Sequence, residues 1–273
     1  MLAELTLRFG AVTTESARRL GFVRASVALW SRATRHRRAW APHEARCHAA
    51  VRRSLADLPR RGTVVVLGSG LVRDVPIDDL LSTFERIVLV DAVHLWPVRR
   101  RFRREPKVSF VVRDLSGHAG LLERGDPPRA DPLADICDGP SLDLVISANL
   151  LSQLPLAAED ILEDGADLPP DLPRRIVEAH LADLASLPCR VCLLTDVVMR
   201  DVAPDGTVLD SLDLLRGVAL PEPDEAWDWT VAPRGEISRR FAVIHHVHAY
   251  ADLAASRARS GLRGCDGEGR SSG

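Results

Sequence analysis

The sequence predicts an α/β protein: a doubly wound, mostly parallel seven-stranded sheet, with an N-terminal helical arm and a C-terminal antiparallel β-hairpin. Three observations predict this fold. Apolar runs of strand length alternate with helix-compatible segments between residues 59 and about 200, which is typical of parallel strands joined by right-handed crossovers. Helical patterning fills the residues before the first run. Two more strand-like runs, joined by turn residues, follow the last crossover.

The composition is that of an ordinary globular protein. The chain has 273 residues, of which 46% are hydrophobic and 27% charged, with a net charge of −2. This net charge argues neither for nor against nucleic-acid binding. No apolar run is long enough to span a bilayer and no signal-peptide pattern is visible, so we expect a cytoplasmic protein without membrane or nucleic-acid partners. Five unevenly spaced cysteines predict no disulfide framework.

The chain divides into three predicted parts. Residues 1–58 form a helical arm, which either packs on the core through its tryptophans or closes as a lid over a ligand. Residues 59–252 form the α/β domain, with the hairpin at 226–250 and a further helix at Leu209–Leu215. Residues 253–273 are rich in small and polar side chains and are predicted to be a disordered tail.

The segment around the first strand predicts a nucleotide-like ligand. Thr63–Leu67 is a short apolar run of the kind that is buried on both faces of a sheet. Gly68 and Gly70 follow it, so the chain can turn tightly and let a ligand approach the backbone. The next strand ends in Asp91, whose carboxylate can accept hydrogen bonds from ribose hydroxyls.

Polar or glycine residues also occupy the carboxyl ends of the other predicted strands. In parallel sheets these ends meet at one edge, where ligands bind. The residues that the sequence places at this edge are Gly68, Asp91, Asp114, Asn149 and Asp196.

Five parallel strands preceded by helices and closed by an antiparallel hairpin resemble the class I S-adenosylmethionine-dependent methyltransferases, which have a Rossmann-like fold. The likeness covers about residues 40 to 250. It implies that Gly68, Ser69 and Gly70 lie along the methionine part of the cofactor. It implies that Asp91, beside Ala92, holds the ribose. The positions that it further assigns to the cofactor are Asp114 and Leu115 at the adenine amino group and Asn149 near the reacting methyl group.

The resemblance implies that catalysis is mainly positioning, because a sulfonium is already an activated methyl donor. An oxygen or nitrogen acceptor that starts protonated also needs a base. The candidates are Asp196, Glu236 in the predicted hairpin turn, and His43 or His36 in the arm, with Asn149 orienting a substrate or cofactor group. No Asn/Asp-Pro-Pro-Tyr/Phe motif follows the fourth strand, which favours a small-molecule acceptor over nucleic acid or glutamine.

Two clusters suggest a metal but do not predict one. Cys189 and Cys192 have metal-ligand spacing, yet on a strand they point to opposite faces. His246 and His248 share a face of the last strand without a nearby carboxylate or cysteine to complete a site. We therefore predict no metal.

Three hypotheses remain open: a small-molecule methyltransferase, a NAD(P)-dependent oxidoreductase, and a methyltransferase-like binding module that has lost catalysis. The glycine pair with Asp91 alone would allow the second. The third stays open because Val66 and Val72 stand where the family has an acidic and a small residue. The sequence does not predict the acceptor or the oligomeric state.

Overall fold

The computed structural model describes residue 7 and residues 10–129, 131–137, 139 and 141–261. The helices are α1 (Glu15–Arg19), α2 (Phe22–Arg35), α3 (Arg37–Leu55), α4 (Ile77–Thr83), α5 (Trp96–Arg101), α6 (Ala119–Arg124), α7 (Leu156–Glu163), α8 (Leu172–Ser186) and α9 (Leu253–Arg259). The strands are β1 (Val12–Thr13), β2 (Thr63–Leu67), β3 (Arg86–Asp91), β4 (Val93–His94), β5 (Val108–Val112), β6 (Leu142–Ala148), β7 (Arg190–Val202), β8 (Val208–Asp213), β9 (Glu225–Ala232) and β10 (Ala242–Tyr250).

The main sheet has the strand order β5-β3-β2-β6-β7-β10-β9, with β8 paired to β7 beside this path. Strands β5, β3, β2, β6 and β7 are parallel, and β10 runs antiparallel to both β7 and β9. The predicted α/β fold, with its mostly parallel sheet and C-terminal hairpin, is therefore confirmed.

The central strands form because their side chains are apolar on both faces. Every residue of β2 and of β6 is buried, and β2 contains three consecutive valines, whose branched side chains suit a pleated surface. One face of the sheet packs against α3, and we call it the arm face. The opposite face packs against α8 through Val177 and Leu181.

Helix α3 forms a layer of the core rather than a lid. Trp40 is 4% exposed, and its indole Nε1 donates to the Val231 carbonyl oxygen of β9 at 3.1 Å. Its ring meets that of Trp229 edge-to-face at 4.9 Å. The packing interpretation of the arm is thus the one that the structure supports.

Three segments differ from the sequence prediction. Strand β8 replaces the helix predicted at Leu209–Leu215, because these residues pair with the extended end of β7 and so satisfy their backbone groups there. The short strand β1 interrupts the predicted helical arm by pairing with β4. Helix α9 occupies residues 253–259, so the predicted tail is not disordered there, and residues 262–273 lie outside the described residues.

None of the helices in the described ranges combines the length and hydropathy that a bilayer-spanning segment requires.

Candidate active site

The turn after β2 is left-handed at three positions. Gly68, Gly70 and Val72 have φ values of +69°, +43° and +55°. A Cβ at Gly68 would lie 2.7 Å from the Cβ of Leu150, whereas at Gly70 it would meet nothing closer than 3.7 Å. Gly68 is therefore required for packing, whereas the space beside Gly70 is open. Val72 is a branched residue in a conformation that L side chains rarely adopt, and such strain is typical of functional sites.

The carboxylate of Asp91 faces this turn. Its Oδ2 accepts from the backbone nitrogen of Gly70 at 2.7 Å, and its Oδ1 accepts from Val93 at 3.0 Å. Burial raises the pKa of Asp91 above its ordinary value, although these bonds act in the opposite direction. Each carboxylate oxygen keeps a second lone pair, so both remain able to accept from hydroxyls. The neighbouring Ala92 uses its carbonyl oxygen to accept from Thr13 of β1.

Two buried polar atoms beside the turn have no hydrogen-bond partner within the described residues. They are Oγ of Ser69 and Oδ1 of Asn149. Buried polar atoms are normally paired, so such an atom at a sheet edge suggests a ligand that completes it. With the open Gly70 and the acceptors of Asp91, these atoms fit a polar cofactor that carries a ribose and an amino acid group.

Asp114 and Leu115 serve the local structure. Asp114 Oδ1 accepts from the backbone and hydroxyl of Ser116, and its Oδ2 accepts from the backbone of Ala119 at 2.7 Å, at the start of α6. Leu115 is 4% exposed and packs in the core of the α8 face. The predicted adenine contact of Asp114 therefore stays a prediction, because local donors already occupy its oxygens.

Asn149 lies at the end of β6, next to His43 of α3. Its φ of +49° is left-handed, and its backbone nitrogen donates to Leu194 of β7 at 2.9 Å. Its side-chain amide lies 3.3 Å from His43 Nε2. The structure thus brings together two of the predicted catalytic residues from distant parts of the chain.

The hydrogen bonds of His43 fix its tautomer. Trp227 Nε1 can only donate, and it lies 3.1 Å from His43 Nδ1, so the ring proton is on Nε2. The contact of Nε2 with the amide nitrogen of Asn149 is therefore not a hydrogen bond, because both groups are donors. The His43 Nε2 faces Asp74 Oδ1 at 3.5 Å. Burial alone would raise the pKa of Asp74, but its hydrogen bonds with His43 and Asn149 lower it below its ordinary value. Both ring nitrogens of the buried His43 thus face partners within the protein.

His43, Cys47 and Asp74 place three possible metal ligands within 4.8 Å of one another. A metal on His43 Nε2 would need the ring proton on Nδ1, where the Trp227 N–H already points. Burial also raises the pKa of Cys47 well above its ordinary value, which disfavours the thiolate that a metal requires. The donor set does not fit a metal.

Glu236 lies in the loop between β9 and β10 and is bound to the arm. It forms ion pairs with Arg32, with Arg35 and, at 2.8 Å, with His36 Nε2. Its hydrogen bonds with Arg35 and His36 lower its pKa to about 2. A carboxylate of such low basicity is a poor general base near neutral pH.

Asp196 lies near the middle of β7, just beyond its pairing with β6. It is 4% exposed, and its Oδ2 lies 2.8 Å from Nδ1 of His245 on β10. Sequence reasoning named Asp196 but missed His245, which is 49 residues away in the chain. The side chains of a strand alternate between its two faces, so His245 points to the same face of β10 as the core residues Val247 and Ala249. This alternation was a sequence signal that His245 faces the core.

The two cysteines lie on opposite faces of the sheet, whereas the His246 and His248 rings lie 5.2 Å apart with each Nδ1 bound to a different partner. Cys192 packs in the core of the arm face and Cys189 against that of the α8 face, and burial raises their pKa values to about 12 and about 11. His246 Nδ1 pairs with Asp228, whereas His248 Nδ1 lies 3.2 Å from the Tyr250 hydroxyl.

No protein-family model and no curated protein matches the sequence. Among solved structures, the chain is similar to a 1,6-didemethyltoxoflavin-N1-methyltransferase from Burkholderia thailandensis bound to S-adenosylhomocysteine (17% identity, 83% of this chain, 87% of that chain, TM-score 0.36). It is also similar to DhpI in complex with SAH (15% identity, 81% of this chain, 93% of that chain, TM-score 0.38). A third similar structure is the N-methyltransferase NodS from Bradyrhizobium japonicum (12% identity, 74% of this chain, 85% of that chain, TM-score 0.34). Similarities this weak carry no argument, so the fold assignment rests on the strand order above.

Proposed function

We propose that this protein is a class I methyltransferase that uses S-adenosylmethionine and acts on a small-molecule acceptor. The observation that carries the proposal is the contact between Asp91 and Gly70 at the adjoining ends of β2 and β3. It sets a carboxylate beside an open glycine at the sheet edge where nucleotide ligands bind in doubly wound folds. The antiparallel β10 favours this function over a nicotinamide-dependent one.

The residues have simple roles in the proposed reaction. Gly70 gives the cofactor access to the backbone, and Asp91 accepts from its ribose hydroxyls. Ser69 and Asn149 supply polar atoms that have no partner among the described residues. When bound, S-adenosylmethionine supplies the activated methyl group. The chain then has to hold an acceptor in line with that methyl and exclude water.

Calorimetric titration tests the proposal. We expect the protein to bind S-adenosylhomocysteine with micromolar affinity and not to bind NAD. Asp91→Asn should weaken this binding by about tenfold to a hundredfold, because hydrogen bonds to a charged group contribute about 1.5–3 kcal/mol. NAD binding would favour the oxidoreductase, and binding of neither ligand would favour a degenerate module.

Asp143→Asn is a matched control. Asp143 Oδ2 also accepts a glycine N–H, from Gly62 at 2.7 Å, but at the opposite edge of the same sheet. Its substitution disturbs a comparable backbone contact and should leave ligand affinity unchanged. Equal losses in the two variants would show that the effect of Asp91→Asn comes from folding.

A further inference from the structure

Asp196 and His245 form a carboxylate–imidazole pair on the arm face of the sheet. The Asp196 oxygen and the His245 Nδ1 are 2.8 Å apart, and the two strands that carry them are antiparallel neighbours. A carboxylate only accepts, so Nδ1 carries the proton and the lone pair of the ring is on Nε2. Within the described residues Nε2 makes no hydrogen bond, and the His245 side chain retains 16% of its exposure.

Two unpaired polar atoms flank this imidazole. The Oδ1 of Asp196 and the Nε1 of Trp229 are both buried without a partner in the described part of the chain. The Trp229 ring meets His245 edge-on at 5.9 Å and stacks on His43 at 3.9 Å. His245 therefore lies beside the Trp229 ring, with one buried acceptor (Asp196 Oδ1) and one buried donor (Trp229 Nε1) that have no partner among the described residues. A small polar ligand could bind to both groups.

Side-chain contacts connect His245 to the candidate cofactor site. His43, stacked on Trp229, contacts Asn149 at the end of β6. The chain of contacts thus runs from the predicted methyl position to His245. The charged and titratable groups that face His245 from the packed elements are Asp196 on β7 and, beyond Trp229, His43 on α3, with Asp74 behind it.

We propose that His245 is the general base of the reaction, that Asp196 is its positioning residue, and that the acceptor is a small hydroxyl or ring N–H compound. This inference rests on the proposed function. The acceptor's oxygen or nitrogen forms the bond to the methyl carbon, and the electron pair of the broken carbon–sulfur bond stays on sulfur. The acceptor's proton passes to His245 Nε2, and the carboxylate of Asp196 stabilises the imidazolium until water removes the proton.

The first test measures transfer of labelled methyl to two sets of probes. Catechol, phenol and benzimidazole each hold at pH 8 a proton that methylation displaces, whereas benzoate and pyridine do not. We expect the wild type to methylate at least one member of the first set, and His245→Gln to lower that rate about 100- to 10,000-fold. Transfer only to the second set, or to neither set, would overturn the proposal.

His246→Gln is the control for this variant. His246 is the next residue of β10, also pairs with a carboxylate, that of Asp228, and lies on the opposite face of the strand. It should keep the wild-type rate. Asp196→Asn should lose less than His245→Gln, and the double variant should lose no more than His245→Gln alone, because residues that act as a unit are not additive.

The second test does not depend on turnover. Long-range ¹H–¹⁵N NMR spectra of uniformly labelled wild type and His245→Gln assign the His245 ring. We expect the Nδ1–H tautomer in the wild type and its loss in Asp196→Asn. An Nε2–H tautomer in the wild type would overturn the proposal.

Affinity for S-adenosylhomocysteine separates the two proposals. If the wild type does not bind it, the proposed function fails. If His245→Gln binds it as tightly as the wild type but also transfers methyl at the wild-type rate, only the base assignment fails.

Discussion

At the scale of single residues, Gly68 shows how packing and ligand access divide between two neighbouring glycines. Its φ of +69° and the 2.7 Å approach to Leu150 both exclude a side chain. We expect Gly68→Ala to lower the free energy of unfolding by about 3 kcal/mol, the sum of left-handed strain and overpacking. Urea denaturation measures this value.

Gly206→Ala separates the two causes. Gly206 has a φ of +88° but open space around its Cβ position, so only the backbone strain of about 1 kcal/mol should remain. Equal losses in the two variants would contradict a packing role for Gly68.

Contacts set by local geometry were predictable from the sequence, whereas contacts between residues distant in the chain were not. Gly70 and Asp91 follow directly from a strand–turn–strand pattern, and the structure brings them into contact. Asp114 occupies the predicted strand end, but its Oδ1 accepts from Ser116 and its Oδ2 from Ala119. His245 was missed because its partner is distant in the chain, and only the strand register makes them neighbours.

At the scale of elements, Glu236 ties the β9–β10 loop to the junction of α2 and α3. Its pKa of about 2 lies below the ordinary value of 4.5, so its ion pairs stabilise the fold above pH 4.5 and lose this effect as the pH falls towards 2. The guanidinium partners are partly exposed, and solvent screening keeps the contribution small. We expect Glu236→Gln to cost about 1 kcal/mol at pH 7, measured by urea denaturation.

Glu178→Gln is the control for this element. Glu178 pairs with Arg174 one turn away on α8, and both side chains are about half exposed. Its loss should cost less than about 0.5 kcal/mol. A cost for Glu236→Gln no larger than this would contradict a stabilising tie between loop and arm.

Hydrophobic patterns predicted the type of secondary structure correctly where the element is buried, and wrongly where it is exposed. Strand β2, buried throughout, matches the predicted range Thr63–Leu67. Every residue of β8 is exposed, so no face-dependent pattern marks it as a strand. Its conformation is set by pairing with β7, which tertiary structure alone provides.

At the scale of the whole molecule, His180 couples stability to pH. It is buried on α8, its Nε2 lies 3.3 Å from the Ser147 hydroxyl, and its Nδ1 has no partner among the described residues. Burial lowers its pKa to about 4 from 6.5. The unfolded chain therefore binds this proton more readily, and stability falls as the pH drops from 6.5 to 4.

The expected loss from this residue is about 2 kcal/mol between pH 7.5 and 5. Urea denaturation of the wild type and of His180→Gln at both pH values measures it. The variant should lose about 2 kcal/mol less on acidification than the wild type. Parallel curves for the two proteins would contradict the assignment.

Strand β7 has a consequence for how this architecture can change. Its first residues pair with β6, its last with β8, and Asp196 lies between these two stretches. The hairpin that ends in β8 projects beyond the core, so its length and composition are free to drift without disturbing the parallel layer below. The strand ends that carry Gly70, Asp91 and Asn149 can thus stay unchanged while the length and sequence of this hairpin vary.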